Sequence, residues 1–343
     1  MEDLIPMETF KTVGSLLLGA LLAVGGASGL WGAVNLLSPR PVAERLSLGI
    51  LVAGVGVFLL GFFWFIWLHY QIYLHLPLVL PDEVAKWLNH YLSNLNQKSP
   101  YGLPLYNPSS PPRYILPLWI ENEKYYFWFM SYAFMALYAH RRLSDHRFRG
   151  ALLLGLAIQI GIMAIWANPF ARPLPRFFEE ISPWFNQNLA PMAQLGLFMR
   201  LYSKMVFYYN AEYMWFHPPL LFLSYAAISV VFICSLFMLF RRQMAIEAMS
   251  YSMAKLAFFL LTLGMLLGYP WALKAWGPNW WWDPKIAASI MMWVIFSAYL
   301  HIRLYIHRRW MWHFSAFLGI LCFGAMVFTF LASFFFPGQH TMQ

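Results

Sequence analysis

The chain has 343 residues, of which 61% are apolar, 20% aromatic and only 11% charged. A soluble domain carries about 25% charged residues. The composition therefore excludes a single water-soluble globule, and equally a disordered or collagen-like chain. Despite the net charge of +9, we expect an integral membrane protein and no nucleic-acid binding.

Eight segments are apolar over lengths that approach or exceed the roughly 20 residues needed to cross a bilayer. They predict an all-α, polytopic membrane protein with about eight transmembrane helices. The third segment is the least apolar at its start, because it follows Glu121, Glu123 and Lys124. The predicted spans are Val13–Leu37, Leu46–Ile66, Tyr125–Ala139, Ala151–Ala167, Pro219–Phe240, Leu256–Trp271, Ile286–Ile302 and Phe314–Phe336.

Short turns between alternate spans hold more than half of the 23 lysines and arginines. Short basic loops stay in the cytoplasm. We therefore expect a multi-pass protein of a bacterial-type cytoplasmic (inner) membrane, with both termini on the outer (periplasmic) side. Segments 70–124, 168–218 and 272–285 then also lie outside, the first two as folded loops. The basic residues of these turns are Arg40, Arg45, Arg141, Arg142, Arg147, Arg149, Arg241, Arg242, Lys255, Arg303, Arg308 and Arg309.

One outer loop, with the sequence WGPNWWWDPK, is unusually rich in tryptophan. Its rings are Trp276, Trp280, Trp281 and Trp282. An interfacial aromatic belt is the simpler interpretation, but a belt places only one or two rings at a helix end. Four rings on one loop favour a flat platform for a large planar ligand with a charged edge, such as a porphyrin. Tryptophan faces supply stacking area, Lys285 would meet a carboxylate edge, and Asp283 would hold the loop.

Three histidines are candidate ligands of a heme iron. His217 and His340 flank the tryptophan loop in sequence and share its predicted side of the membrane, and two histidines can supply both axial ligands of a heme. His301 lies inside the seventh span, where a polar side chain is costly and is a functional candidate. The alternatives are solvent-exposed histidines outside and, for His301, a headgroup-level residue beside Arg303.

The segment 276–285 resembles the WGxxWxWDP signature of the heme-handling proteins of cytochrome c maturation, a family that includes CcmF, CcsA (also called ResC) and CcmC. Segments 168–172 and 216–225 are similar to the CcmF segment with NPF and HPPLLYxGY, and 298–303 is similar to the CcsA segment with YLHTR. The resemblance extends from about Trp119 to His340. It suggests a poorly matched part, 1–118, with two transmembrane helices and an outer loop, and a heme-handling domain, 119–343.

The resemblance implies a function in cytochrome c biogenesis. His217 and His340 would ligate non-covalent heme b beneath the tryptophan loop, and His301 would be one transmembrane heme ligand. The chain would present heme at the outer face for thioether attachment to the CxxCH of apocytochrome c. It would thus be a component of a cytochrome c heme lyase (holocytochrome c synthase), surrounded by membrane lipid and working with a CcsB/ResB-like or other maturation subunit.

Three features depart from the family pattern. Ile286 stands where many relatives have Glu, and residues 119–123 replace the WxGxEGS run of CcmF. The second transmembrane ligand has no clear counterpart. The candidates for this second ligand are His69, His75, His140 and a residue of a partner chain.

Other functions remain as alternatives to heme attachment in cytochrome c biogenesis. A heme-binding electron-transfer subunit of a respiratory complex would need paired transmembrane histidines on facing helices. A heme exporter or chaperone would use the same site without catalysis. A structural subunit would use the tryptophan loop to dock a partner and would bind no heme.

Overall fold

The computed structural model describes residues 4–37, 41–98, 102–278 and 280–336. Every regular element in these ranges is helical, which confirms the predicted all-α class. The long helices are α1 Met7–Leu37, α2 Pro41–His75, α4 Glu123–Arg142, α5 His146–Trp166, α8 Tyr213–Phe240, α9 Met244–Trp276, α10 Pro284–Ile302 and α11 Arg309–Phe335. Three shorter helices are α3 Asp82–Asn96, α6 Pro175–Asn186 and α7 Pro191–Lys204.

Seven helices in the described part of the chain are long and apolar enough to cross a membrane, namely all of the long helices except α4. The predicted span Tyr125–Ala139 lies within α4 but does not reach that apolarity. α4 packs against α2, α5 and α8, so much of its surface faces protein rather than lipid. A helix in this position needs fewer apolar residues than one exposed to acyl chains.

The turns between alternate long helices meet at one end of the bundle. Arg242 Nη2 donates to the carbonyl oxygen of His307 at 2.7 Å, which joins the α8–α9 and α10–α11 turns. Gln243 Nε2 lies 3.4 Å from Asp145 Oδ2, which joins the α8–α9 and α4–α5 turns. We call this end, where the arginine-rich turns collect, the basic end, and the opposite end the loop end.

The long segments 70–124 and 168–218 fold together at the loop end. Tyr202 Oη donates to the carbonyl oxygen of Pro104 at 3.1 Å. Asn210 receives a backbone N–H at 2.9 Å and donates to a backbone carbonyl at 2.8 Å, both from the other segment. These contacts confirm the predicted folded loops. The sequence did not predict helices α3 and α6, because they are short, amphipathic and lie in proline-rich segments.

A GxxxG spacing in α1 serves packing within the chain. A Cβ atom added at Gly25 would lie 3.1 Å from Ile160 Cγ2, and one at Gly29 would lie 3.6 Å from Ala157 Cβ. Both glycines therefore face α5. Small residues at this spacing let two membrane helices approach closely, so the pattern explains the α1–α5 contact without a second copy of the chain.

Candidate functional site

His217 lies near the start of α8 and is held by the neighbouring helix α9. Its Nδ1 atom is 2.6 Å from the carbonyl oxygen of Gly264. A carbonyl can only accept, so Nδ1 carries the proton and the neutral ring keeps its lone pair on Nε2. Metal-binding histidines are oriented in the same way by a hydrogen bond to the other ring nitrogen. The half-buried ring is thus in a tautomer that can ligate iron through Nε2.

Two glycines of α9 make room for α8 here, Gly268 for the His217 ring and Gly264 for Leu221. A Cβ atom at Gly268 would lie 2.5 Å from both Cε1 and Nδ1 of His217, and one at Gly264 would lie 2.8 Å from Leu221 Cδ2. Both distances are below van der Waals contact, so a side chain at Gly268 would displace the His217 ring and one at Gly264 would displace the end of Leu221. The spacing Gly264–Gly268 is another GxxxG pattern, typical of close helix packing. The sequence alone could have revealed this GxxxG spacing, but not that His217 packs against it.

The turn that carries His217 is braced by Trp119. Pro218 has no N–H to donate to the carbonyl of Met214, four residues earlier. That carbonyl instead accepts from Trp119 Nε1 at 2.6 Å. The Trp119 ring also packs edge-on against Trp215, with centroids 5.7 Å apart. The proline predicts a carbonyl in need of a donor, but the donor lies 95 residues away in sequence.

The tryptophan loop is shaped by the residues between its rings. Gly277 has φ +74°, a left-handed conformation that favours glycine, and it ends α9. Asp283, which is only 4% exposed, accepts from the backbone N–H groups of Lys285 at 3.0 Å and Ile286 at 3.4 Å. Asp283 is therefore the N-cap of α10, and Pro284 occupies the first helical position that proline favours.

Two of the four rings pack against aromatic residues of α9, and of these Trp280 belongs to the loop while Trp276 ends the helix. Trp276 packs edge-on against Trp271 with centroids 4.8 Å apart. Trp280 does the same against Tyr269 at 5.2 Å. Tyr269 directly follows the glycine against which the His217 ring lies. Trp280 of the loop and His217 of α8 thus contact consecutive residues of α9, Tyr269 and Gly268.

The other two rings face outward. Trp281 and Trp282 stack with centroids 4.1 Å apart, and their side chains are 47% and 70% exposed. Large exposed apolar surfaces often mark binding sites. This pair is the most exposed part of the loop, while the side chain of Lys285 lies half-buried just beyond it.

His301 occupies the opposite end of the bundle. It lies in the last turn of α10, with Nδ1 2.8 Å from the carbonyl oxygen of Ser297 in the same helix. It therefore has the same tautomer as His217, but its side chain is exposed. Asp283, at the other end of α10, is about 27 Å away at 1.5 Å per residue. His301 and His217 cannot bind one heme.

The three proposed partners of His301 lie in different surroundings. His69 is buried, with Nε2 2.6 Å from Glu123 Oε2 and Nδ1 2.9 Å from a backbone carbonyl. As folded, it has both ring nitrogens engaged and joins α2 to α4. His75 ends α2 at the loop end, away from His301. His140 is buried in the last turn of α4 at the basic end, on a helix that packs on α2, α5 and α8, whereas α10 packs on α9 and α11.

His340, the expected second ligand of the outer site, lies outside the described residues. The structure therefore positions His217, the tryptophan loop and Lys285 at one end, and His301 at the other. It also adds Trp119, Gly264 and Gly268, which the sequence did not single out as parts of the site.

Comparison with known proteins connects this arrangement to one family. The family model described as Cytochrome C assembly protein matches residues 119–340. The chain belongs to the cytochrome c assembly protein family. The matched region contains the tryptophan loop, both described candidate histidines and Trp119, which confirms the resemblance seen in the sequence.

Several curated relatives are named cytochrome c biogenesis protein CcsA. The one from Cyanidium caldarium is 46% identical over 65 residues, which cover 19% of this chain and 22% of the relative. The one from Gloeobacter violaceus is 39% identical over 97 residues, 28% of each chain. The matched regions thus span about a quarter of these relatives.

Among solved structures, the fold is similar to that of cytochrome c heme lyase CcmF. The TM-score is 0.62 at 20% sequence identity, over 96% of this chain and 47% of CcmF. The chain thus spans about half the length of CcmF. Identity this low supports a shared fold and leaves activity to be argued from the site.

Proposed function

We propose that this protein binds heme at its loop end and presents it at the outer face of a bacterial-type cytoplasmic membrane for attachment to apocytochrome c. The observation that carries the proposal is the hydrogen bond between His217 Nδ1 and the Gly264 carbonyl oxygen, 2.6 Å long. It prepares Nε2 to ligate iron beside an exposed tryptophan pair. Membership of the cytochrome c assembly family makes heme the fitting ligand.

The residues of the loop end fit non-covalent heme b. His217 and His340 would be its axial ligands. The exposed rings of Trp281 and Trp282 would cover a porphyrin face. Lys285 would pair with a propionate, whose carboxylate suits a lysine ammonium.

The chemistry at this site is thioether formation. Heme supplies two vinyl groups, and each thiol of CxxCH adds across one of them. A C–S bond forms, the thiol hydrogen passes to the neighbouring carbon, and no group leaves. The protein holds thiol and vinyl together, while its histidines hold the iron in a suitable ligand field. The N-cap contacts of Asp283 and the Trp276 and Trp280 contacts keep the loop in place for this.

His301 would bind a second heme on a route that starts at the basic end. Its partner would be a residue of a CcsB/ResB-like or other maturation subunit, because α4, which carries His140, packs on α2, α5 and α8, whereas α10 packs on α9 and α11. His69 is not proposed, because Glu123 and a backbone carbonyl already engage both of its ring nitrogens.

Heme binding is tested by purifying the protein from a heme-replete host and recording its Soret absorbance. We expect His217→Ala, His340→Ala and His301→Ala each to lower the heme content. His90→Ala on α3 and His313→Ala on α11 are exposed controls for the two ends and should keep it. If all three test variants retained full heme, the assignment of ligands would be wrong.

Attachment is tested by co-expressing an apocytochrome with and without this chain and a CcsB/ResB-like subunit. Covalent heme on the cytochrome, dependent on His217, would support a heme lyase component. Bound heme without covalent product in any pairing would instead indicate a heme exporter or chaperone.

A further inference from the structure

A large cavity lies between α4, α5, α8 and α11 and reaches the tryptophan loop only at Lys285. Its volume is about 800 Å³, within the range of about 300–1,000 Å³ typical of ligand sites. Most of the wall is apolar and comes from the membrane-spanning helices, for example Trp128, Leu154, Phe232 and Phe323. A cavity of this kind suits a long apolar body.

The cavity opens sideways between helices. Ile158, Ile162 and Trp166 line it from α5 and are themselves 62%, 45% and 73% exposed. Val327 lines it from α11 and is 37% exposed. Exposed apolar side chains on membrane-spanning helices face acyl chains, so the opening leads into the hydrocarbon of the bilayer.

The end of the cavity nearest the tryptophan loop is basic. Its cations are Lys124, Arg176, Lys204 and Lys285. Lys204 pairs with Glu180. Glu121 also lines this end, but its carboxylate accepts from the backbone N–H groups of Arg176 and Phe177 at 2.8 and 3.0 Å.

Burial and the surrounding charges shift the pKa of Lys124. This residue precedes the predicted span of α4, and its pKa is lowered to about 7, first by burial and then by the charges of Lys285 and Arg176, while Glu121 acts in the opposite direction. An anion bound among these cations would offset their mutual repulsion and favour the charged ammonium. The cavity therefore combines an apolar interior with a basic end that favours an anion.

We propose that this cavity binds one anionic phospholipid. Its phosphate would lie at Lys124, Lys285 and Arg176, and its acyl chains would lie in the apolar part of the cavity. Basic pockets between membrane helices recognise anionic lipid headgroups in this way. Heme fits less well than at the loop end, because the described lining residues include no histidine, methionine or cysteine and offer only tyrosine among the usual ligands of heme iron. The proposal shares Lys285 with the proposed heme site, so Lys124, which lines the cavity and is not assigned to heme, carries its test.

Native mass spectrometry of the purified full chain tests this directly. We expect the protein to retain dioleoyl phosphatidylglycerol more tightly than dioleoyl phosphatidylcholine, which has the same chains and no net charge. Lys124→Gln should weaken phosphatidylglycerol binding about tenfold, the loss expected for one charge-assisted hydrogen bond. Lys274→Gln is the matched control, because Lys274 is an exposed lysine at the same end and is not part of the cavity wall.

The binding should also depend on pH. As pH rises through about 7, Lys124 loses its charge, so phosphatidylglycerol affinity should fall in the wild type. In Lys124→Gln this part of the pH dependence should disappear. The groups facing Lys124 are Lys285 from α10, Arg176 from α6 and Glu121 from the preceding loop. Lys285→Gln in the same titration reports the contribution of the neighbouring cation with the largest effect on the Lys124 pKa.

A second variant tests the apolar end without changing charge. Ala151→Phe on α5 would fill part of the cavity wall. It should weaken dioleoyl phosphatidylglycerol while leaving a short-chain phosphatidylglycerol bound. Equal lipid retention by wild type, Lys124→Gln and Lys274→Gln would mean non-specific annular lipid and overturn the proposal. Loss of heme from Lys124→Gln with unchanged lipid would also overturn it and assign the cavity to heme.

Discussion

His217 and His301 make the same kind of hydrogen bond with different parts of the fold. His217 Nδ1 contacts a carbonyl of another helix, Gly264 at 2.6 Å. His301 Nδ1 contacts a carbonyl of its own helix, Ser297 at 2.8 Å. The first ring is half-buried and the second is exposed. The orientation of His217 therefore depends on tertiary packing, while that of His301 follows from helix geometry alone.

The largest effect should come from Gly268→Ala. The added Cβ atom would lie 2.5 Å from the His217 ring, so the ring must move and lose its bond to Gly264. Disturbing the group that orients a metal ligand typically costs about tenfold to a hundredfold in affinity. We expect outer-site heme to fall by that factor, measured by titration with hemin and Soret absorbance.

Gly324→Ala on α11 is the control, because a Cβ atom there meets nothing within 4 Å. Heme at His301 should be unchanged in both variants. An unchanged outer site in Gly268→Ala would show that the position of His217 does not depend on α9.

Trp119→Phe should have an intermediate effect. It keeps a ring beside Trp215 but removes the N–H that reaches the Met214 carbonyl. One lost hydrogen bond costs about 1 kcal/mol of the free energy of unfolding, measurable by thermal unfolding in detergent. Outer-site heme should weaken modestly. Trp310→Phe, at a ring 59% exposed, should change neither quantity, and an equal loss there would remove the special role of Trp119.

Asp283 offers a separate test of the loop. Asp283→Ala removes the N-cap of α10 and should destabilise it by about 1 kcal/mol, whereas Asp283→Asn keeps a capping oxygen and most of that stability. Unfolding and heme content, measured together, would separate the cap from a direct charge effect. If Asn behaved like Ala, the negative charge rather than the cap would matter.

The smallest effect should come from Ser297→Ala. The His301 contact uses the backbone carbonyl of Ser297, which remains after the substitution. Heme bound through His301 should therefore stay within error of the wild type in the same Soret assay. A large loss would mean that the serine hydroxyl contributes to the basic-end site.

The sequence predicted much of this arrangement. Hydropathy identified the helices that cross the membrane, and the arginine-rich turns predicted which ends meet. The motif at 276–285 and its resemblance to heme-handling proteins predicted the family, which the match over 119–340 confirms. α4 was harder, since its polar ends and its protein-facing surface reduce the apolarity that identifies a span.

What remained hidden depends on contacts between distant segments. Local patterns, such as hydropathy, charge and an Asp-Pro helix start, act within a few residues and can be read along the chain. The contact of His217 with Gly268, the Trp119 bond to Met214 and the His69 pair with Glu123 join residues 51, 95 and 54 apart. The cations of the basic cavity come from four helices, α4, α6, α7 and α10. Only the packing of helices brings such groups together, so only the tertiary structure distinguishes His217, held through Nδ1 by one carbonyl, from His69, with both ring nitrogens engaged in the core.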